Sequence, residues 1–227
     1  MNNKKKIFFL YGSPKQTSKS ASWLLGGFLL KRLSDRGAEI RKVSLVSLVN
    51  SKRGNEELID TVHWCDILVF SSPLYLDCQP SFVIRAMDII KMKKEKIGNG
   101  KGVFAISNCG FPEASQNMVV LNIYKQFTKE LNFNWLGGVA VGMGHAYIAG
   151  RYFLGIFGAF SKTKKAFMEA ADNLIQPNLE SKKTNDFVIN PIMPSALYLT
   201  IAIFLARIVA LTNLAFNLHR KLGDVYE

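Results

Sequence analysis

Nine consecutive residues near the start of the 227-residue chain, Gly12-Ser13-Pro14-Lys15-Gln16-Thr17-Ser18-Lys19-Ser20, gather hydroxyls and lysines into one short polar loop. A phosphate dianion needs many hydrogen-bond donors and modest positive charge. The hydroxyls of Ser13, Thr17, Ser18 and Ser20, the ammonium groups of Lys15 and Lys19, and the amides at the start of a following helix offer that donor set. The Gly-x-x-x-x-Gly-Lys spacing of a nucleoside-triphosphate loop is absent. Taken alone, the same residues also read as a polar turn with a serine helix cap.

Two further loops follow apolar runs. In Ser72-Pro73-Leu74-Tyr75-Leu76-Asp77, a hydroxyl-bearing aromatic stands beside apolar residues and can pack on a flat ring while hydrogen-bonding its rim. In Asn108-Cys109-Gly110-Phe111-Pro112, Gly110 lets backbone amides come close to a planar ligand, and Asn108 can read ring heteroatoms. Each is also an ordinary strand-to-helix turn. His63, His145 and His219 have no partner at metal-ligand spacing, so no metal is expected. Cys65, Cys78 and Cys109 form neither a disulfide framework nor a zinc pattern, and scattered thiols point to a reducing, cytoplasmic compartment.

The elements that must position these loops are legible as apolar runs. Ile7 to Tyr11, Asp66 to Ser71 and Gly102 to Ser107 are continuous apolar stretches that stop at the three loops, as parallel strands buried on both faces do. Ile40 to Val46 alternates like an outer strand, and Trp135 to Val141 is a further strand ending in Gly142-Met143-Gly144-His145. Between them, Ala21 to Leu33, Glu56 to Trp64, the stretch opened by Pro80, Glu113 to Leu131 and Lys164 to Ile175 carry helical spacing. Gly26-Gly27 inside the first helix suggests close approach to the sheet. This alternation predicts a doubly wound, five-stranded parallel sheet of order 2-1-3-4-5 with helices on both faces. In such sheets ligands bind at the carboxyl ends of the strands, where the three loops lie.

The length suits one α/β domain. Hydrophobic residues make up 48% of the chain and charged residues 20%, which excludes a disordered protein. The formal net charge is +12. Such a surface attracts anions in general, but each basic run reads as a solvated face, and no nucleic-acid partner is expected. The charge counts against a small electron carrier of the flavodoxin type, which is typically acidic.

Together the segments "YGSPKQTSKS", "SSPLYLDCQPS" and "NCGF", in that order, resemble the NAD(P)H-dependent FMN reductase and quinone reductase families of the flavodoxin-like superfamily. "WLGGVAVGMGHA" looks like the glycine-rich end of the family's last strand. The resemblance covers about residues 5 to 176. It implies an FMN-containing oxidoreductase that passes hydride from NADPH or NADH through FMN to a small acceptor such as a flavin or quinone, the cofactor supplying the chemistry. No catalytic acid or base is then required. Ser13, Lys15, Ser18, Lys19 and Ser20 would hold the FMN phosphate. Pro73, Leu74 and Tyr75 would line one side of the ring, and Asn108, Cys109, Gly110 and Phe111 the other. His145 and Ala146 stand where the family has glycines.

Beyond residue 176, Pro177 to Pro191 reads as a linker and Ala196 to Leu218 as an apolar helical extension, giving a domain over 1–176 and a tail over 177–227. A bilayer span takes about 20 apolar residues, but Arg207 sits in the middle of this stretch, at a cost of roughly 2.5–3.5 kcal/mol for insertion. Packing within the protein, or in the homodimer that the resemblance implies, is preferred over contact with a membrane surface. Replacing Ser18 and Ser20 together by Ala, or Lys15 by Glu, is expected to weaken FMN retention with the fold intact. Flavin titration and circular dichroism of the variants check this, and unaltered retention in both would misplace the phosphate.

Overall fold

The computed structural model describes residues 4–15, 20–150, 161–176, 185–190 and most of 194–212. Its first compact unit, Met1–Ile192, is built on a parallel sheet. In chain order the elements are β1 (Lys6–Tyr11), α1 (Ala21–Asp35), β2 (Glu39–Ser44), α2 (Leu45–Leu48), α3 (Lys52–Trp64), β3 (Ile67–Pro73), α4 (Ser81–Met92) and α5 (Lys94–Ile97). There follow β4 (Gly102–Asn108), a 3₁₀ turn at Ala114–Asn117, α6 (Met118–Glu130), β5 (Asn134–Val141), α7 (Gly144–Gly150), α8 (Ser161–Ile175) and β6 (Asp186–Ile189).

The strand order is β2-β1-β3-β4-β5-β6, with every neighbouring pair parallel. Successive side chains on a strand point to opposite faces, and the core divides accordingly. Phe8, Leu10, Leu68 and Phe70 pack on one face with Leu58 and Val62 of α3, Val83 and Ile90 of α4, and Leu121 and Tyr124 of α6. Ile7, Phe9, Tyr11, Ile67 and Val69 pack on the other with Leu25, Leu29 and Leu33 of α1 and Phe167, Ala170 and Leu174 of α8. This two-sided burial explains why β1, β3 and β4 read as unbroken apolar runs. Gly26 accounts for the weak spot in α1: a Cβ there would lie 2.9 Å from the rings of Phe9 and Tyr11. Its neighbour Gly27 faces open space.

The sheet has six strands where the sequence pattern predicts five. The sixth, β6, lies inside the stretch that reads as a linker. It has four residues, too short for an alternation signal, and tertiary contacts hold it. Asp186 accepts from Lys125 Nζ of α6 at 2.5 Å and from Trp135 Nε1 of β5 at 3.1 Å. Gly137 makes room for its entry: φ is +101° and a Cβ would lie 2.5 Å from the Asn185 carbonyl oxygen. The Trp-Leu-Gly-Gly segment of β5 thus admits a neighbouring strand.

The second unit, Met193–Glu227, is helical over the described residues of 195–212. Among the described residues no helix is long and apolar enough to cross a membrane. Residues 151–160 and the tail beyond 212 lie outside the described residues. Gly137→Ala is expected to destabilise the protein by about 1–3 kcal/mol, the cost of a strained backbone, and to loosen β6 first. Denaturant midpoints and faster amide exchange at Phe187–Ile189 check this; protection unchanged there would remove the role given to Gly137.

Candidate functional site

The register of the central strands brings their carboxyl ends to one edge. Tyr11 lies beside Ser71, Pro73 beside Asn108, and Asn108 beside Val141. The loops that leave this edge are stitched together by backbone hydrogen bonds. Gly12 N–H donates to Ser71 C=O at 2.8 Å, Leu74 N–H to Asn108 C=O at 2.8 Å, and Cys109 N–H to Val141 C=O at 3.1 Å. Met143 N–H donates to Phe111 C=O at 2.7 Å and Gly144 N–H to Cys109 C=O at 2.8 Å, which adds the β5–α7 turn to the cluster.

In the first loop, Ser13 and Ser20 are buried and share a hydroxyl–hydroxyl hydrogen bond of 2.8 Å. Ser20 caps α1, accepting from Trp23 N–H at 3.4 Å. Lys15 is exposed, and its backbone N–H donates to Ser13 Oγ at 3.3 Å. Ser18 and Lys19 lie outside the described residues. The first turn of α1 carries no acidic residue, so the positive end of its dipole faces the loop without local opposition. At the same helix start the Trp23 ring stacks on Tyr11, with centroids 3.7 Å apart. The Trp23 indole N–H is buried with no hydrogen-bond partner among the described residues. Burial raises the Tyr11 phenol well above its usual range, so it stays protonated.

The second loop is a tight hairpin. Tyr75 and Cys78 exchange backbone hydrogen bonds of 2.8 and 3.1 Å, and Leu76 and Asp77 form its tip with φ of +47° and +63°. Both tip residues are exposed, Tyr75 is half exposed, Leu74 is half buried and Pro73 is buried as the last residue of β3. In the third loop Phe111 and Gly110 are exposed, while Asn108 and Cys109 are buried. Asn108 Oδ1 accepts from Ser22 Oγ at 2.7 Å. Cys109 is turned inward: Asn117 Nδ2 donates to its sulfur at 3.2 Å, and burial pushes its thiol pKa up. Cys65 is likewise buried, its pKa pushed up to about 12. Of the predicted residues, Ser13, Ser20, Tyr75, Asn108, Gly110 and Phe111 therefore come together at one edge, and Cys109 joins them through its backbone. The side chain of His145 lies outside the described residues, though its backbone belongs to α7.

Sequence reasoning missed the residues that hold these loops. Ser22 Oγ bonds Asn108, while its carbonyl accepts from Ser71 Oγ at 2.9 Å. Asn117 is fully buried and spans four partners, donating to Cys109 Sγ, to Ala114 C=O at 3.2 Å and to Val141 C=O at 3.1 Å, and accepting from Ser107 Oγ at 2.9 Å. A polar residue at the start of an apolar helix was the available signal, but it is shared by every cap.

The arrangement fits FMN on the chemistry of its donors: buried hydroxyls and a helix N-terminus without acid for a phosphate, and exposed aromatic side chains on adjoining loops for a ring. Among the described residues no cluster of three or more His, Cys, Asp or Glu could hold a metal ion.

The family model for the NADPH-dependent FMN reductases matches residues 5–147. No curated protein matches the chain. Among solved structures, the apo form of an NADH:FMN oxidoreductase is similar with a TM-score of 0.60 at 14% identity, covering 84% of this chain and 96% of that one. A flavone reductase is similar with a TM-score of 0.57 at 13% identity, over 80% of this chain and 66% of that one. An FMN-dependent NADH-azoreductase from Bacillus anthracis in complex with FMN has a TM-score of 0.55 at 13% identity, over 76% of this chain and 100% of that one. At these identities the structures speak for the fold alone.

Replacing Asn117 by Leu takes the acceptor from the Ser107 hydroxyl and one of two donors from the Val141 carbonyl, which keeps the Cys109 N–H. Each unsatisfied buried group costs about 1–3 kcal/mol. The variant is expected to unfold at lower denaturant and to expose Cys109 to thiol reagents; an unchanged midpoint and an unreactive Cys109 would remove Asn117 from the support of the loop.

Proposed function

The chain belongs to the NADPH-dependent FMN reductase family, and from this premise we propose which of its residues hold the cofactor and what kind of acceptor it serves. It is an FMN-containing oxidoreductase that uses NAD(P)H and acts on small molecules. The observation that carries the site assignment is the convergence of the three loops at the carboxyl edge of β1, β3 and β4, tied by the Gly12–Ser71 and Leu74–Asn108 backbone bonds.

When bound, FMN supplies the chemistry of accepting and releasing hydride. The chain's own residues do the rest. Ser13, Ser20 and the amides at the start of α1 bind the phosphate, with Lys15, Ser18 and Lys19 completing the loop. Pro73, Leu74 and Tyr75 flank the ring on one side, and Asn108, Gly110 and Phe111 on the other, with Cys109 contributing backbone. Tyr75 and Phe111 are the exposed aromatic surfaces there, and they suit a flat, apolar acceptor such as a flavin or a quinone. No side chain is asked to move a proton: Tyr11 stays neutral through burial, and the Cys109 thiol is raised by burial. We place the enzyme in the cytoplasm, as a homodimer.

The protein is expected to purify yellow and to release FMN on denaturation. Mixing the loaded protein with NADPH or NADH under anaerobic conditions should bleach the flavin band, and adding a quinone should restore it. Bleaching by neither nucleotide would sink the reductase reading and leave a one-protein electron carrier.

A further inference from the structure

The hairpin after β3 carries an unexpected residue at its tip. Tyr75 and Cys78 exchange backbone hydrogen bonds around a two-residue turn, and both central residues, Leu76 and Asp77, have positive φ, +47° and +63°. Asn-Gly serves such a turn best, because asparagine tolerates the left-handed region and glycine has no Cβ to crowd the neighbouring carbonyl. Leucine has neither advantage. Among the described residues nothing covers its side chain, which is 100% exposed. Backbone conformation and hydration therefore both disfavour leucine at this position, and no packing within the domain offsets them. An outlier of this kind, held at a site, points to function.

The tip stands on a pinned base. Leu74 N–H donates to Asn108 C=O at 2.8 Å, which ties the hairpin to the third loop. Ser72, ahead of the turn, is buried and bonds the Tyr124 hydroxyl at 3.0 Å. Gln79, just past the turn, is buried, and its Oε1 accepts from Cys78 Sγ at 3.5 Å. Leu76 is thus held next to Tyr75, on a hairpin bonded to the loop that exposes Phe111. Asp77 is the only charged residue from Tyr75 to Cys78, and a carboxylate at the tip disfavours an anionic acceptor.

We propose that Leu76 is a specificity-determining residue for the acceptor, and that its side chain, with those of Tyr75 and Phe111, contacts a flat, neutral, apolar acceptor of the quinone class. It rests on the placement of the flavin ring between the second and third loops, and it gives the strained leucine a use: the apolar surface left open at the tip is covered when the acceptor binds.

The test compares menadione, a flat neutral quinone, with ferricyanide, a small anion that has no apolar face. Both are mixed anaerobically with the full-length, FMN-loaded protein after reduction by NADPH. Leu76→Asn keeps a residue that tolerates positive φ, so its denaturant midpoint is expected to be no lower than that of the native chain. Its kcat/KM for menadione relative to ferricyanide is expected to fall about tenfold, the lower end of what covering a leucine side chain contributes. Leu76→Met, which keeps an apolar side chain, is expected to restore the native ratio. A native ratio in Leu76→Asn, with a lowered one in Tyr75→Ala, would overturn the role of Leu76 and leave the loops as the acceptor's place. A native ratio in both would overturn the placement of the ring as well. A lowered midpoint in Leu76→Asn, with equal loss toward both acceptors, would make the leucine a structural residue and overturn the proposal.

Discussion

A buried hydrogen-bonded node at the carboxyl edge of the sheet governs the rest of the site. Ser22 on the first turns of α1 donates to Asn108 at the end of β4 and accepts, through its carbonyl, from Ser71 in β3. All three residues are buried. Buried polar groups are costly unless paired, so such a node fixes its members in one arrangement. It sets where the helix dipole of α1 points, and it does so relative to the two strands whose loops carry the aromatic side chains. The polar loop that precedes α1 and the loops that follow β3 and β4 are thereby held at a fixed separation.

Below that node the sheet is rigid because both of its faces are filled. Phe9 and Tyr11 approach α1 closely enough to require Gly26. On the opposite face Tyr124 shares its hydroxyl hydrogen bond with Ser72 at 3.0 Å, next to the second loop. Each loop therefore stands on side chains that cannot shift without opening a cavity or stranding a polar group. The hairpin tip at Leu76 and Asp77 is the exception: it projects into solvent on residues held at positive φ, a conformation that costs an ordinary residue about 1–2 kcal/mol. Rigid strands carrying exposed tips are a suitable division of labour for an enzyme whose cofactor does the chemistry and whose acceptors enter and leave.

The division between sequence and tertiary structure follows from the range of the interactions involved. Strands buried on both faces announce themselves as unbroken apolar runs, so β1, β3 and β4, their order and the three loops at their ends were readable without coordinates, as was the flavodoxin-like class. A serine cap within the first loop was readable too, because capping is a local matter; the structure puts it at Ser20. The sixth strand was not readable. Its four residues carry no period of their own, and it exists because Lys125, Trp135 and Gly137 receive it. The inward turn of Cys109 and the bonds from Ser22 and Asn117 were likewise decided by contacts between residues distant in the chain. Sequence thus determined where the polar and aromatic loops stand, because strands and loops follow from local pattern; only packing across the sheet decided which of their side chains face outward and which hold the loops in place.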